Sequence, residues 1–365
     1  MSAMRKRFGV SVCLSAVAAL SALVVVGKAW ASPSVTVPRY AVIKHIGGGA
    51  AAGLFDYASI DVKGRRLYLA QQGVTALDLN SGKVTAHVVE ADMSHGVIPI
   101  GGGEVAVALS SKHTVELFEG DTGAVVGNIA TGSRASHGWH DPDALLLEPK
   151  SGLLIAVNGD SGRLVLIDAK RKSVVGTIRL HGKLEFAAAD GEGRVYVNEA
   201  SESKIAFVDV VRRRVIKEVS LKHCEGLSGM AYDRNDRLVI SVCGDSGIAK
   251  FISASTGKEA ASVRVAKGAD AVIFDEARHV AFIPGGDDGQ LSVVAVWGAG
   301  DIKVVQTIPT MPFARLGALD PVTGDVYLPA GKFGPPAPPM KRPGLPAFPG
   351  MIPGTFEFMV VGPAG

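Results

Sequence analysis

With 365 residues, 47% of them hydrophobic and 20% charged, the chain is too apolar for a disordered protein and long enough for a large core or a repeat architecture. Its formal net charge of +3 is a poor guide to partners, because the first 31 residues carry four of the 38 Lys and Arg and none of the 35 Asp and Glu. The remainder, 34 basic residues against 35 acidic, has no electrostatic footprint for nucleic acid.

Residues 1–31 read as a signal peptide. Arg5, Lys6 and Arg7 form a positive n-region, Val10 to Val26 is an apolar run, and Ala29-Trp30-Ala31 is a small-x-small cleavage site before Ser32. Polar, proline-containing sequence follows too soon for a stable membrane span. The expected mature protein, residues 32–365, is therefore exported, periplasmic and without a transmembrane segment. Cys13 leaves with the signal, so Cys224 and Cys243 are the only cysteines of the mature chain.

Abundant valine, few aromatics and glycine-rich turns at even spacing mark the mature chain as all-β. A short first strand, ended by an acid, recurs and leads each time into an apolar second strand. Tyr57 to Asp61 leads to RRLYLA, Leu145 to Glu148 to LLIAVN, and Phe186 to Asp190 to RVYVN. Gly229 to Asp233 leads to RLVISV, Ala271 to Asp275 to HVAFIP, and Leu316 to Asp320 to DVYLPA; Gly96 to Ile100 precedes EVAVAL without the acid. Most units continue with a third strand, a turn and a fourth, as in IAFVDVVRRRVIKEV, and Gly82, Gly123 and Gly257 supply the positive φ that tight hairpins need. Four antiparallel strands in about 40 residues is the period of a β-propeller blade, and seven such units predict a seven-bladed β-propeller. The seventh unit lacks a fourth strand. Tyr40 to Ile46 resembles the fourth strands of other blades and is expected to supply it, closing the ring.

The units Tyr196-Val197-Asn198 with Val208-Asp209, and Ala156-Val157-Asn158 with Ile167-Asp168, resemble the YVTN-repeat, YncE-like family of seven-bladed propellers. Both lack the residue that the family places between Val and Asn. The resemblance in repeat pattern spans essentially the whole mature chain and implies the same ring.

In a propeller, the lead-ins to the innermost strands and the turns between second and third strands share one face, the top, around the channel. Five residues before the end of each first strand stand Asp56, His95, Asp143, Glu185, Ser228, Asp270 and Arg315, at separations of 39, 48, 42, 43, 42 and 45 residues. Four carboxylates around one channel cannot all ionise without water, Arg315 or a cation to offset them. Asp56, Asp143, Glu185 and Asp270 form an oxygen-rich set that suits Ca²⁺ or Mg²⁺. The connection Gly132 to Asp141 adds His137, Trp139 and His140 to the same face as a candidate ligand wall. Cys224 and Cys243 flank an antiparallel strand pair of blade five, and an oxidising compartment favours a disulfide between them. The segment 333–354, with eight prolines, interrupts blade seven at the top and is expected to be polyproline II, able to pack on the blade or dock a partner.

No HExxH, CxxC, CxxCH, Gly-x-Ser-x-Gly, Walker loop or Rossmann fingerprint occurs. The predicted role is binding of a small ligand or periplasmic protein partner on the top face around the channel. Two alternatives are a metal-dependent, lactonase-like hydrolase with His95 or His140 as base, and an accessory subunit of a periplasmic redox enzyme.

Overall fold

A computed structural model describes Gly9 and residues 37–51, 53–91, 93–132, 141–336 and 349–364. Their strands form seven four-stranded antiparallel sheets and one two-stranded ribbon. In blade four the innermost strand is Leu184–Ala189, followed outward by Arg194–Glu199, Lys204–Asp209 and Arg214–Ser220. Blades one, two, three, five and six repeat this order over residues 58–90, 97–130, 145–179, 227–264 and 273–309. Each innermost strand packs beside that of the next blade, and the seventh packs beside the first.

Burial within a blade follows the sequence pattern. The second and third strands lie between two neighbouring blades and are apolar on both faces, as in RVYVNE and KIAFVD. The fourth strand forms the rim and alternates, so that Val215, Lys217 and Val219 are half-buried while Arg214, Ile216, Glu218 and Ser220 are exposed. The apolar core is accordingly a series of interfaces between blades rather than one interior. Tyr196 and Phe207 of blade four meet Leu227 and Met230 of blade five, and Leu238 and Phe251 of blade five meet Ala281 and Val294 of blade six. Each fully buried Phe or Leu contributes about 1.5–3 kcal/mol relative to exposure. An isolated blade would forfeit that on both faces.

The recurring acid at the end of the first strand caps the turn that follows. Asp61 accepts hydrogen bonds from the N–H groups of Lys63 and Gly64 at 3.1 and 3.0 Å. Glu148 accepts from Lys150 and Ser151 at 3.1 and 2.7 Å, and Asp233 from Asn235 and Asp236 at 2.9 and 3.2 Å. Blade two has no such acid. Its turn is made instead by Gly101, Gly102 and Gly103, all at positive φ.

Blade seven is assembled from both ends of the chain. Its first two strands, Ala318–Asp320 and Asp325–Ala330, are followed by Glu357–Pro363, which pairs with the N-terminal Tyr40–Gly47 from Tyr40 opposite Pro363 to Gly47 opposite Glu357, with one register shift between Val42 and Lys44. Arg65, from the first turn of blade one, forks onto the buried Asp320 of blade seven with bonds of 2.8 and 2.7 Å, a second lock across the closure.

The proline-rich insertion differs from the polyproline expectation at its ends. Phe333–Pro336 pairs with Pro349–Met351 as a short ribbon, while residues 337–348 lie outside the described residues. Aromatic packing accounts for the ribbon. Phe333 lies 4.5 Å from the ring of Phe313 and 6.2 Å from that of Phe55, which ties the base of the insertion to the segments leading into blades seven and one. Cys224 and Cys243 are joined by a disulfide, with Cα atoms 5.0 Å apart.

Candidate functional site

The seven positions picked out by the repeat all stand at or within three residues of the start of an innermost strand. In blades one to three the same backbone bond holds them. The N–H groups of Asp56, His95 and Asp143 donate to Ala70, Ala108 and Val157 in the second strand of their own blade. Blades four and five use a bulge instead. Pairing skips from Leu184 to Ala187 and from Leu227 to Met230, which turns Glu185 and Ser228 out of the regular pleat.

The four carboxylates interact across the channel. The buried hydroxyl of Tyr57 feels Asp143, Glu185, Asp56 and Asp270 together, and burial followed by these charges pushes its pKa well above the usual tyrosine value. Tyr57 stacks on Phe186 at 4.1 Å between ring centres. These two rings come one residue after Asp56 and Glu185, and they form an aromatic floor beneath the charged mouth.

Each acid finds a different counterweight. Glu185 lies 2.7 Å from the Lys183 ammonium. Burial, and then the Asp143 charge, nevertheless push its carboxyl up to about 7, against the pull of Lys183. Asp270 lies 3.4 Å from Arg315 and is also raised, by burial first; Arg315 opposes the shift and Asp56 adds to it. Ser228 is a connector. Its Oγ donates to the carbonyl of Ala269 at 3.3 Å and accepts from the N–H of Gly229 at 2.7 Å, while its carbonyl accepts from Asn198 at 2.6 Å.

Asp56 and Asp143 gather around His95. Nδ1 of His95 donates to Oδ2 of Asp56 at 2.6 Å and stands 3.6 Å from Oδ1 of Asp143. Nε2 is hydrogen-bonded to Oγ of Ser110 at 3.0 Å. The connectivity is that of an acid–imidazole–hydroxyl relay, but Ser110 is only 2% exposed, so its hydroxyl orients the imidazole and is closed to an approaching carbonyl. His137, Trp139 and His140 lie outside the described residues.

A cavity of about 410 Å³ opens among blades four to seven, lined by Lys183, Glu185, Ser228, Asp270, Asp287 and Arg315 among others. Lys183, Asp287 and the adjoining Asp245 were not legible as ring positions, nor was Ser110. A second repeat would have found two of them. Gly244-Asp245-Ser246-Gly247 and Gly286-Asp287-Asp288-Gly289 occupy the same top turn in blades five and six, and Gly159-Asp160-Ser161-Gly162 occupies it in blade three. Each Asp in blades five and six packs against a glycine at positive φ, Gly226 for Asp245 and Gly268 for Asp287, where an added Cβ would come within 2.6 and 2.4 Å of its carboxyl group. Those glycines are what allow the acids to face the cavity.

The ring, its closure and its polar mouth define the protein as a seven-bladed β-propeller with the channel opening as its candidate site. Among solved structures the chain is similar to a chain of Kuenenia stuttgartiensis hydrazine synthase, at a TM-score of 0.65 and 14% identity, over 78% of this chain and 94% of that one. It is likewise similar to a chain of the mitotic checkpoint complex, at a TM-score of 0.66 and 14% identity, over 88% and 95%. At such identity the likeness shows the fold alone. No protein-family model and no curated protein matches the sequence. Among the described residues no helix is long and apolar enough to cross a membrane.

Proposed function

We propose that this is an exported, periplasmic binding protein of YncE-like type, which holds a small polar ligand at the top face of the propeller. The carrying observation is the cavity beside the channel, where two bases, Lys183 and Arg315, are set among the acids Glu185, Asp245, Asp270 and Asp287. Such a lining offers both donors and acceptors, and the excess of carboxylates favours a ligand with at least one ammonium or amidinium group. The proline-rich insertion is based beside Phe55 and Phe313, next to the ring positions Asp56 and Arg315, and gives a protein partner a second point of contact on the same face. The N-terminal signal sequence and the YVTN-like units support the compartment and the kinship.

The test is a thermal-shift and calorimetric screen of the mature protein against amino acids, short peptides and diamines, repeated on Asp270→Asn and Asp287→Asn. A ligand that stabilises the parent and loses about tenfold or more in affinity in either variant supports the reading. Ligands whose affinity is the same in all three proteins, or a turnover abolished by Asp143→Asn, would overturn it.

A further inference from the structure

The trio Asp56, His95 and Asp143 lies on the opposite side of the mouth from the cavity, in blades one to three, and does not depend on the ligand reading above. One ligand atom from each lies within 4.8 Å of the other two. Around a first-row metal with bonds of about 2.0–2.2 Å, neighbouring donors stand roughly 2.8–3.6 Å apart, from octahedral to tetrahedral angles. The observed separations from Nδ1 of His95 are 2.6 Å to Asp56 and 3.6 Å to Asp143, and all three atoms lie within 4.8 Å of one another, so a side-chain adjustment, chiefly of the two carboxylates toward each other, would place all three on one ion.

The fourth participant makes the arrangement more than a cluster of acids. A metal-binding imidazole needs its other nitrogen anchored, so that the ring is held in one tautomer and one orientation. Ser110 Oγ does this at Nε2, with both groups buried. With a cation at Nδ1, the neutral imidazole carries its one proton on Nε2 and donates it to Ser110 Oγ, so the tautomer with Nδ1–H bonded to Asp56 gives way to the tautomer with Nε2–H. A further observation comes from beneath. The hydroxyl of Tyr57, the residue after Asp56, is buried without a hydrogen-bond partner among the described residues. A buried hydroxyl left unsatisfied by the described residues has hydrogen-bonding capacity that a polar ligand atom can meet.

We propose that Asp56, His95 and Asp143 form a binding site for one divalent first-row transition metal, with Ser110 as the residue that positions the histidine. The nitrogen ligand sets this site apart from the all-oxygen Ca²⁺ or Mg²⁺ set expected from sequence. Glu185 and Asp270 stand outside it, each beside a base. Three protein ligands leave coordination positions for water or an incoming oxygen donor.

The experiment titrates the chelator-stripped, mature protein with Zn²⁺ and with Mn²⁺, using Ca²⁺ and Mg²⁺ as comparators, by calorimetry and by metal analysis after gel filtration. The expected result is one equivalent of Zn²⁺ or Mn²⁺, a hundredfold or greater loss of affinity in His95→Ala, about a tenfold loss in Ser110→Ala, and parent-like binding in Glu185→Gln. If His95→Ala does not fold, long-range ¹H–¹⁵N spectra of the histidine-labelled parent decide the matter, since Zn²⁺ should move the ring nitrogens of a single buried histidine. No bound metal, Ca²⁺ preferred over Zn²⁺ and Mn²⁺, uptake lost in Glu185→Gln but kept in His95→Ala, or no histidine shift would each overturn the proposal. Each of these outcomes is read from metal uptake or the histidine ring, and the ligand screen of the cavity is read separately, so failure of one reading is distinguishable from failure of the other.

Discussion

Replacing Glu185 by Gln should make the protein more stable at pH 8 than its parent while leaving the two nearly equal at pH 4.5. Burial and the Asp143 charge raise the Glu185 carboxyl from an ordinary 4.5 to about 7 in the folded state, so between those values the folded protein binds more protons than the unfolded chain. A raised folded pKa means that stability is fully present below the unfolded value and is lost as pH climbs through the folded one. At about 1.4 kcal/mol per pH unit, the interval from 4.5 to about 7 corresponds to at most about 3 kcal/mol lost on the way to pH 8. Part of that belongs to the mutual repulsion with Asp143 and Asp270 and would be relieved elsewhere, so a gap of about 1–2 kcal/mol is the working expectation. The glutamine cannot ionise, and Lys183 is exposed enough to be hydrated without its partner. Urea unfolding of parent and variant at half-unit steps from pH 4.5 to 8.5 reads the difference directly. Parallel curves across that range would refute the argument that the mouth of the channel carries more carboxylates than it can ionise.

The lock between blades one and seven should be costly to break. Arg65→Ala strands the fully buried Asp320, and because the N–H of Val322 and the hydroxyl of Thr323 still hold that carboxylate, a loss of about 3 kcal/mol is expected, read as a midpoint shift in urea. Burial pushes the Asp320 carboxyl up, but its bonds from Arg65 and Val322 outweigh this and hold it below the usual range. The gap should therefore persist above about pH 4 and narrow only as pH falls through the folded value. Cys224→Ser with Cys243→Ser should cost about 3 kcal/mol in the chain-entropy account, and calorimetry of parent and variant under dithiothreitol should show the difference vanish. Tyr57→Phe removes a buried hydroxyl that has no partner among the described residues and should raise the melting temperature of the metal-free protein by the equivalent of about 1 kcal/mol; a clear loss would mean that the hydroxyl is satisfied.

What sequence could reveal was set by periodicity. The acid ending the first strand recurs in six of the seven blades because the turn that follows is the same, and Asp61, Glu148 and Asp233 perform the same capping at the same place. Counting back from it reached the channel because the ring imposes one geometry on all blades. The count was blind to whatever breaks the period. Lys183 stands two residues before Glu185, within the bulge-bearing lead-in of blade four, and no other blade has a basic residue there that would mark it as part of the site. Ser110 belongs to a short 3₁₀ turn after the second strand of blade two, where blades three, five and six carry glycine. The pairing of His95 with Asp56 and Asp143 depends on side-chain direction between neighbouring blades, a quantity that strand spacing does not contain.

The two halves of the mouth solve one electrostatic problem in different ways. Seven near-identical blades bring one position from each to a common axis, so any acid placed there meets its counterparts, and four of the seven positions are acids. In blades four to seven the excess is met by ammonium and guanidinium groups, Lys183 for Glu185 and Arg315 for Asp270, and the space between these pairs stays open as a cavity. In blades one to three no Lys or Arg stands at a ring position, and an imidazole lies between the carboxylates instead. A lysine or arginine would fix the charge at that point permanently, whereas a histidine lets it be carried by a proton or by a cation. This asymmetry within a near-symmetric ring underlies the proposed division, with ligand binding on one side and metal binding on the other. It also predicts that His95→Lys, by fixing the charge, keeps the stability of the parent within about 1 kcal/mol while abolishing Zn²⁺ uptake; a His95→Lys protein that still takes up one equivalent of Zn²⁺ would show that the imidazole is not the group that matters.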